Sequence, residues 1–279
     1  MPMQFNKPAV TTIFTERTEI DSAFLEREVL IDAYLPVNIP EPEKMSLLLI
    51  NDGQDLPKMP FEEILGNLIE NGEIEPLVCI GIHCGPERKM EYGVAGHPDF
   101  KGRGAKADLY TKFIFEELLP LIRKMYYVHS FKEKSFAGFS LGALSAMDIV
   151  WNHPAEFSKA GVFSGSLWWR NKGYDEGYDE SKDRIMHSMV RGGDDPGSSN
   201  FYPWLKFFFE CGAGDEGEDR NKNGIIDSID DTLDLIAELK AKGYSNNSIK
   251  YLELASGKHD VPTWGQAFPE FLKWGWGKQ

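Results

Sequence analysis

The sequence predicts an α/β fold: a mostly parallel central sheet with helices on both faces, antiparallel strands at the N-terminus and a small cap insertion. Three observations carry this expectation. From residue 46 onward, short apolar runs alternate with amphipathic helical stretches, the pattern of a parallel sheet covered on both faces. Before that point two strand-like runs follow each other with no helix between them, which implies an antiparallel opening. At Gly138-Phe139-Ser140-Leu141-Gly142, a serine stands between two glycines where a strand-like run meets a helical one.

Taken in order, Thr11 to Phe14 and Glu26 to Leu35 read as the opening strands, the second with Val29, Ile31, Ala33 and Leu35 in alternation. Ser46 to Ile50 is a strand, Phe61 to Glu70 a helix and Leu77 to Ile82 a strand. Lys106 to Tyr126 is a long helix with Phe113, Ile114, Leu118, Leu121 and Ile122 on one stripe. Lys134 to Ala137 enters the serine turn as a strand, and Leu141 to Val150 leaves it as a helix. Strands at Ala160 to Phe163, Leu205 to Cys211 and Ile249 to Leu254, a helix at Asp231 to Lys240 and a terminal amphipathic helix complete the chain. No internal boundary is visible, so residues 1–279 form a single domain, large enough to bury a sizeable core.

The serine motif has a steric logic. A serine on a sharp strand-to-helix turn has strained dihedrals, and the chain passes so close that side chains at Gly138 and Gly142 would collide with it. The helix N-terminus then lies beneath Ser140, where free N–H groups such as that of Leu141 can stabilise an oxyanion. A catalytic acid and a histidine are expected after the serine, at the C-terminal ends of later strands. Of six histidines, His83 ends an apolar run, His97 and His129 lie in loops, His153 ends a helix and His187 sits in a polar helix. His259, in the loop after the last strand, is the expected general base. Asp215 is the first carboxylate beyond Leu205 to Cys211, with Glu216 and Asp219 as competitors for the role of acid.

These residues resemble the putative-esterase branch of the α/β-hydrolase superfamily, which includes feruloyl esterases, S-formylglutathione hydrolases, enterochelin-type esterases and mycolyltransferases. The likeness extends over nearly the whole chain. It includes Leu48-Leu49-Ile50-Asn51-Asp52-Gly53-Gln54, Glu91-Tyr92, Glu116-Glu117-Leu118-Leu119-Pro120, Ser164-Gly165-Ser166-Leu167-Trp168-Trp169 and Gly257-Lys258-His259-Asp260 with Trp264 behind it. It implies the α/β-hydrolase fold, and backbone N–H groups of Gln54 and Leu141 as the oxyanion donors. Ala143 stands where relatives often have a second glycine after the elbow; its methyl is small enough for the turn to survive.

A net charge of −14, from 44 acidic and 30 basic residues, disfavours nucleic acid and anionic membrane surfaces as partners. The chain shows neither a basic region followed by an apolar stretch at its start nor a run of about 18 apolar residues, so neither a secretion signal nor a membrane span is expected. Three cysteines cannot all pair, which suits free thiols in a cytoplasmic protein, although a removed signal peptide would leave the same sequence. Cys79, His83 and Cys84 alternate in direction at one strand end and make a poor metal set.

Two irregular stretches border the expected site. Residues 170–203, which repeat Gly-Tyr-Asp-Glu at Gly173 to Glu176 and Gly177 to Glu180, read as a cap that helps choose the substrate. Residues 219–230 place Asp219, Asn221, Asn223, Asp227 and Asp230 at the oxygen-ligand positions of an EF-hand-type loop, with Gly224 at the sharp turn and Ile225 offering its carbonyl. A structural Ca²⁺ is expected there, ordering the segment that follows Asp215; an Asn-Gly turn capping the next helix is the competing explanation.

The expectation is therefore a serine esterase acting on a small-molecule ester through an acyl-enzyme, with no cofactor for catalysis. Trp168, Trp169 and Trp264 are the expected substrate contacts, and feruloyl or acetyl carbohydrate esters or siderophore lactones the expected substrates. Acyl transfer with the same triad, or a non-catalytic calcium- or carbohydrate-binding module, are the alternatives.

Overall fold

The computed structural model describes residues 13–37, 44–192 and 201–278. Strands β1 (Ile13–Ser22) and β2 (Arg27–Pro36) pair antiparallel from Ile13↔Pro36 to Ser22↔Arg27. β1 runs well past Phe14 because a polar stretch such as Glu16 to Glu19 suits a solvated edge strand, which apolar patterning does not reveal. Thr11 and Thr12 lie outside the described residues.

The sheet is completed by β3 (Ser46–Asn51), β4 (Leu77–Ile82), β5 (Lys134–Phe139), β6 (Lys159–Phe163), β7 (Lys206–Gly214) and β8 (Ile249–Lys258). Among the described residues its eight strands lie in the order β1-β2-β4-β3-β5-β6-β7-β8. β2 meets β4 antiparallel, and every pairing from β4 across to β8 is parallel. β3, β4 and β6 are buried at every residue, which is why their inner stretches Leu47 to Ile50, Leu77 to Ile82 and Ala160 to Phe163 read as apolar runs. The strand order reverses around β3, so the C-terminal ends of β3 and β5 flank the switch point where open α/β sheets bind ligands.

Helices α1 (Phe61–Glu70), α2 (Arg88–Glu91), α3 (Ala107–Lys112), α4 (Leu119–Met125), α5 (Leu141–Asn152), α6 (Glu180–Asp183), α7 (Ile185–Arg191), α8 (Asp227–Ala241) and α9 (Val261–Trp276) cover the sheet. α3 and α4 are joined by a π turn, Phe113–Leu118, into the single helical stretch the sequence predicts. Pro120, two residues beyond it, has no N–H to give the carbonyl of Glu116, so the regular ladder is interrupted there. The expected stripe faces the core: Phe113, Ile114, Leu118 and Ile122 are buried and Leu121 is partly so. The predicted helix from Asp183 to Arg191 is broken at Arg184, whose extended backbone sends a buried guanidinium to Asp231 and Asp234 of α8.

The sheet's alternation sorts side chains into two cores. One lies under α5, α7, α8 and the helical stretch 107–125; the other lies under α1 and α9. Phe163 of β6 is central to the second, stacked on Phe268 at 5.0 Å and edge-on to Phe271 at 5.7 Å. Phe163→Ala should lower stability by about 3–5 kcal/mol, measured by denaturant unfolding.

Candidate active site

Ser140 joins β5 to α5 with φ 55° and ψ −119°, a conformation that favours glycine and that a non-glycine residue holds only where its surroundings enforce it. Both flanking glycines are required sterically. A Cβ on Gly138 would stand 2.4 Å from the carbonyl oxygen of Gly142, and one on Gly142 would stand 2.6 Å from Asp52 Oδ2. The turn is fastened on two sides: Ser140 N–H donates to the Phe163 carbonyl (2.9 Å), and Asn51 Nδ2 donates to the Gly142 carbonyl (2.8 Å). Ala143 is fully buried and donates to the Ser140 carbonyl (3.1 Å), so its methyl is accommodated. As the first residue of α5, Leu141 carries an N–H with no acceptor within the helix.

On the other side of the switch point, β3 ends at Asn51 and the chain turns through Asp52 at φ 59° into a short 3₁₀ helix, Gly53–Lys58. Gly53 lies so close to β4 that a Cβ would be 2.4 Å from the carbonyl carbon of Gly81. Gln54, the second residue of that helix, also has an N–H without an acceptor inside it, while its Oε1 accepts from Cys84 N–H (3.1 Å). Asp52 is buried and takes a bidentate ion pair from Arg88, with Nε to Oδ1 and Nη2 to Oδ2 both at 2.7 Å. Arg88 also acts electrostatically on His259. The sequence reading missed Arg88, although it falls three residues before the noted Glu91-Tyr92 pair.

Asp215 and His259 are brought together by strand pairing. The β7–β8 register continues to Gly214↔Lys258 after an irregularity at Gly212, and the next residue of each strand is Asp215 or His259. Close approach there again requires glycine, since a Cβ on Gly212 would be 2.5 Å from the carbonyl carbon of Gly257. Burial lowers the pKa of His259, opposed by the negative charge of Asp215 and reinforced by Arg88. Burial raises the pKa of Asp215, and both its oxygens lack a hydrogen-bond partner. No hydrogen bond of ordinary length joins His259 to either Asp215 or Ser140; Ser140 Oγ instead lies 3.4 Å from Ser166 Oγ. Glu216 is turned away, accepting from the backbone N–H of Ser228, and Asp219 is engaged within its own loop.

The tryptophans separate into different roles. Trp169 is fully buried and donates to the His97 carbonyl (3.1 Å), and Gly93 and Gly104 both pack against it, so it has no face for a substrate. Trp264 is also buried, stacked on Phe139 at 4.8 Å, edge-on to the His259 ring at 5.6 Å, and donating to Ser164 Oγ (2.9 Å). It supports the histidine from beneath. Trp168 is half-buried under Arg103 and lines a cleft of about 430 Å³ with Arg170, Tyr174, Glu216 and Arg220. The cap segment 170–203 contributes Arg170 and Tyr174 to that wall; residues 193–200 lie outside the described residues.

In the loop 219–230, the side chains of Asp219, Asn221, Asn223 and Asp230 converge, with Asp219 accepting from the N–H groups of Asn223 and Gly224. Asn221 and Asn223 turn their Nδ2 ends to Asp230 Oδ2 (2.9 and 2.8 Å). Asp227 faces elsewhere, held by the N–H and guanidinium of Arg220. Ile225 is exposed and donates its N–H to Asn223 Oδ1. No group of three or more His, Cys, Asp or Glu side chains able to hold a metal occurs among the described residues. Cys79 is fully buried and His83 is paired with Asp32 (2.7 Å).

An eight-stranded, mostly parallel sheet with an elbow serine at its switch point defines an α/β-hydrolase. Residues 22–274 match the family model described as "Putative esterase", and the chain belongs to that family and is an esterase. No curated protein matches the sequence significantly. Among solved structures, a ferulic acid esterase is similar at 17% identity, TM-score 0.69, over 94% of this chain and 97% of that one. The enterobactin esterase of Shigella flexneri is similar at 19% identity and TM-score 0.70, over 98% of this chain, which spans only 61% of that protein. A siderophore hydrolase of Aspergillus nidulans is similar at 18% identity and TM-score 0.65, over 96% of this chain and 98% of that one. No described helix is long and apolar enough to cross a membrane.

Because Asp52 is buried, removing its partner should be costly. Arg88→Met is expected to destabilise the fold by about 3 kcal/mol in denaturant unfolding, and Arg88→Lys to recover only part of that, since an ammonium cannot bridge both oxygens.

Proposed function

We propose that this esterase cleaves a carboxylic ester through an acyl-enzyme, with Ser140 as nucleophile, His259 as general base and then acid, and Asp215 as the carboxylate that orients the imidazole. The observation that carries the reading is the strained elbow at Ser140, coupled with the exit of Asp215 and His259 side by side from β7 and β8. Burial keeps His259 neutral and able to accept a proton near neutrality. The empty acceptors of Asp215 suit an imidazole Nδ1–H, and catalytic hydrogen bonds are often long before substrate arrives.

In this reading Ser140 Oγ bonds to the acyl carbon as its proton passes to His259 Nε2. The negative charge develops on the carbonyl oxygen between the N–H groups of Gln54 and Leu141, each such donor being worth about 2.7–4 kcal/mol. His259 then delivers the proton to the leaving alcohol, and water reverses the sequence to free the acid. The substrate class we favour is a carbohydrate-linked feruloyl or acetyl ester or a siderophore-type lactone. Support comes from the names of the similar structures. A cytoplasmic setting is supported by three unpaired thiols.

A structural Ca²⁺ in the loop 219–230 remains part of the proposal. Its support is a set of hard oxygen donors on Asp219, Asn221, Asn223 and Asp230; both asparagine amides must rotate to turn Oδ1 inward. If Ca²⁺ binds, saturation at about 100 times Kd should stabilise the protein by about 2.7 kcal/mol relative to chelator, and Asp219→Ala should abolish the shift; equal melting curves with and without Ca²⁺ would end the proposal.

Ser140→Ala should eliminate fluorophosphonate labelling and lower kcat on a p-nitrophenyl ester by about 10⁴-fold or more, with the melting curve retained. Persistent acylation of that variant would refute the assignment. Because the imidazole must be neutral, kcat/KM of the native protein should climb through the pKa of His259, reaching half its plateau below the ordinary histidine value of about 6.5.

A further inference from the structure

Behind Asp215 lies a second acid that no step above uses. Glu210 is on β7, fully buried, with both carboxyl oxygens lacking a hydrogen-bond partner. Its alternation with Phe208 turns it to the aromatic core beneath α9. Across the strand, Ser164 at φ 43° donates its N–H to the Glu210 carbonyl (2.8 Å). The Ser164 hydroxyl accepts from Trp264 and lies close enough to act on the carboxyls of both Glu210 and Asp215.

A count of donors then becomes decisive. The two carboxyls present four buried oxygens with no hydrogen-bond partner; the Ser164 hydroxyl has one hydrogen to give, the Ser164 N–H is already spent on the Glu210 carbonyl, and the Gly212 N–H acts on Asp215 alone. His259 supplies one more to Asp215 when the triad closes. Two carboxylates sharing this dry site would leave acceptors unmet and like charges unscreened, each costly in a low dielectric. A proton on one of the two acids removes both penalties.

We infer that Glu210 is a positioning residue for the proposed triad: held as a neutral carboxylic acid in its buried, unpartnered site, it leaves the single negative charge at this end of β7 on Asp215, facing His259. The inference rests on the assignment of Asp215 as the triad acid. Burial, and secondarily the charge of Asp215, raise the pKa of Glu210 to about 8, whereas His259 responds to Asp215, Arg88 and Asp260. Other titratable neighbours lie apart from this face. Cys211 is on the opposite side of β7 against Thr232, and Tyr251 and Glu253 of β8 bond each other. α9 offers Trp264 and Phe268, and β8 places Leu252 opposite Glu210.

The sign of the pH dependence follows. An acid whose pKa is raised on folding contributes stability that is complete below its unfolded value, about 4.3, and lost as pH rises through the folded value of about 8. Above that pH, Glu210 loses its proton and its charge repels Asp215, so kcat/KM should fall on the alkaline side.

The test compares native protein with Glu210→Gln, an uncharged side chain of the same shape. Three measurements are made from about pH 6 to about pH 9: kcat/KM on a p-nitrophenyl ester, melting temperature, and the infrared band of a protonated carboxyl in the native protein. Glu210→Gln is expected to keep kcat/KM within about threefold at neutral pH, to flatten the alkaline fall and to reduce the loss of melting temperature with pH. An unchanged alkaline limb, or a loss beyond about tenfold at neutral pH in a folded variant, would overturn the inference. Should the variant not fold, the band is read in Asp148→Asn, which removes the other buried acid raised to about 7: absence of a carboxyl band near pH 6 in that protein would overturn the inference, and its loss toward about pH 9 would support it. The infrared and melting measurements need no turnover, so a protein inactive on esters would sink the proposed function while the proton on Glu210 is read separately.

Discussion

The site depends on how closely three segments of backbone approach one another. β5, the start of α5 and the turn after β3 meet where a single added methyl at Gly138 or Gly142 would overlap backbone or the Asp52 carboxylate. That contact holds Ser140 at an angle its own preferences oppose, and brings the N–H groups of Gln54 and Leu141 to either side of the switch point. The hydrogen bond from Asn51 to the Gly142 carbonyl and the Arg88–Asp52 pair hold the same contact from the outside.

The second organising constraint is electrostatic. Asp52, Glu91 and Asp231 are buried acids, and each has an arginine: Arg88, Arg27, and jointly Arg184 and Arg220. Asp148 has none either but accepts from the Ala95 N–H and Asn152 Nδ2, whereas Asp215 and Glu210 have neither a cation nor a hydrogen-bond donor. Buried acids with a matched cation serve the architecture, whereas an acid left without either must share protons with its neighbours. The contrast sets the β7–β8 end of the sheet apart from the rest of the interior, and it arises on the strands that carry Asp215 and His259.

Much of the fold was legible because buried parallel strands and amphipathic helices announce themselves through hydrophobic spacing. Phe61–Glu70 and Leu77–Ile82 have the bounds the sequence implies. The departures have local causes. β1 is a polar edge, and the break at Arg184 depends on acids 47 and 50 residues away, a tertiary fact no local pattern holds. The elbow was readable since its steric demand writes glycine on both sides of one serine. Trp169 and Trp264 were not, because an aromatic beside an active site has the same letter whether it faces solvent or the core. Glu210 was invisible for a related reason: its significance lies in the donors it lacks.

Arg220 lies between two parts of the molecule that sequence alone treats separately. It joins the loop 219–230, through Asp227, to Glu180 at the start of α6 and to Asp231 of α8, while Arg184 binds the same Oδ1 of that aspartate. The cap and the loop are thereby riveted to one helix. The two banks of the cleft beside Trp168 therefore share a foundation: a displacement of one bank loads the other, and the width of its mouth is a property of both rather than of either alone.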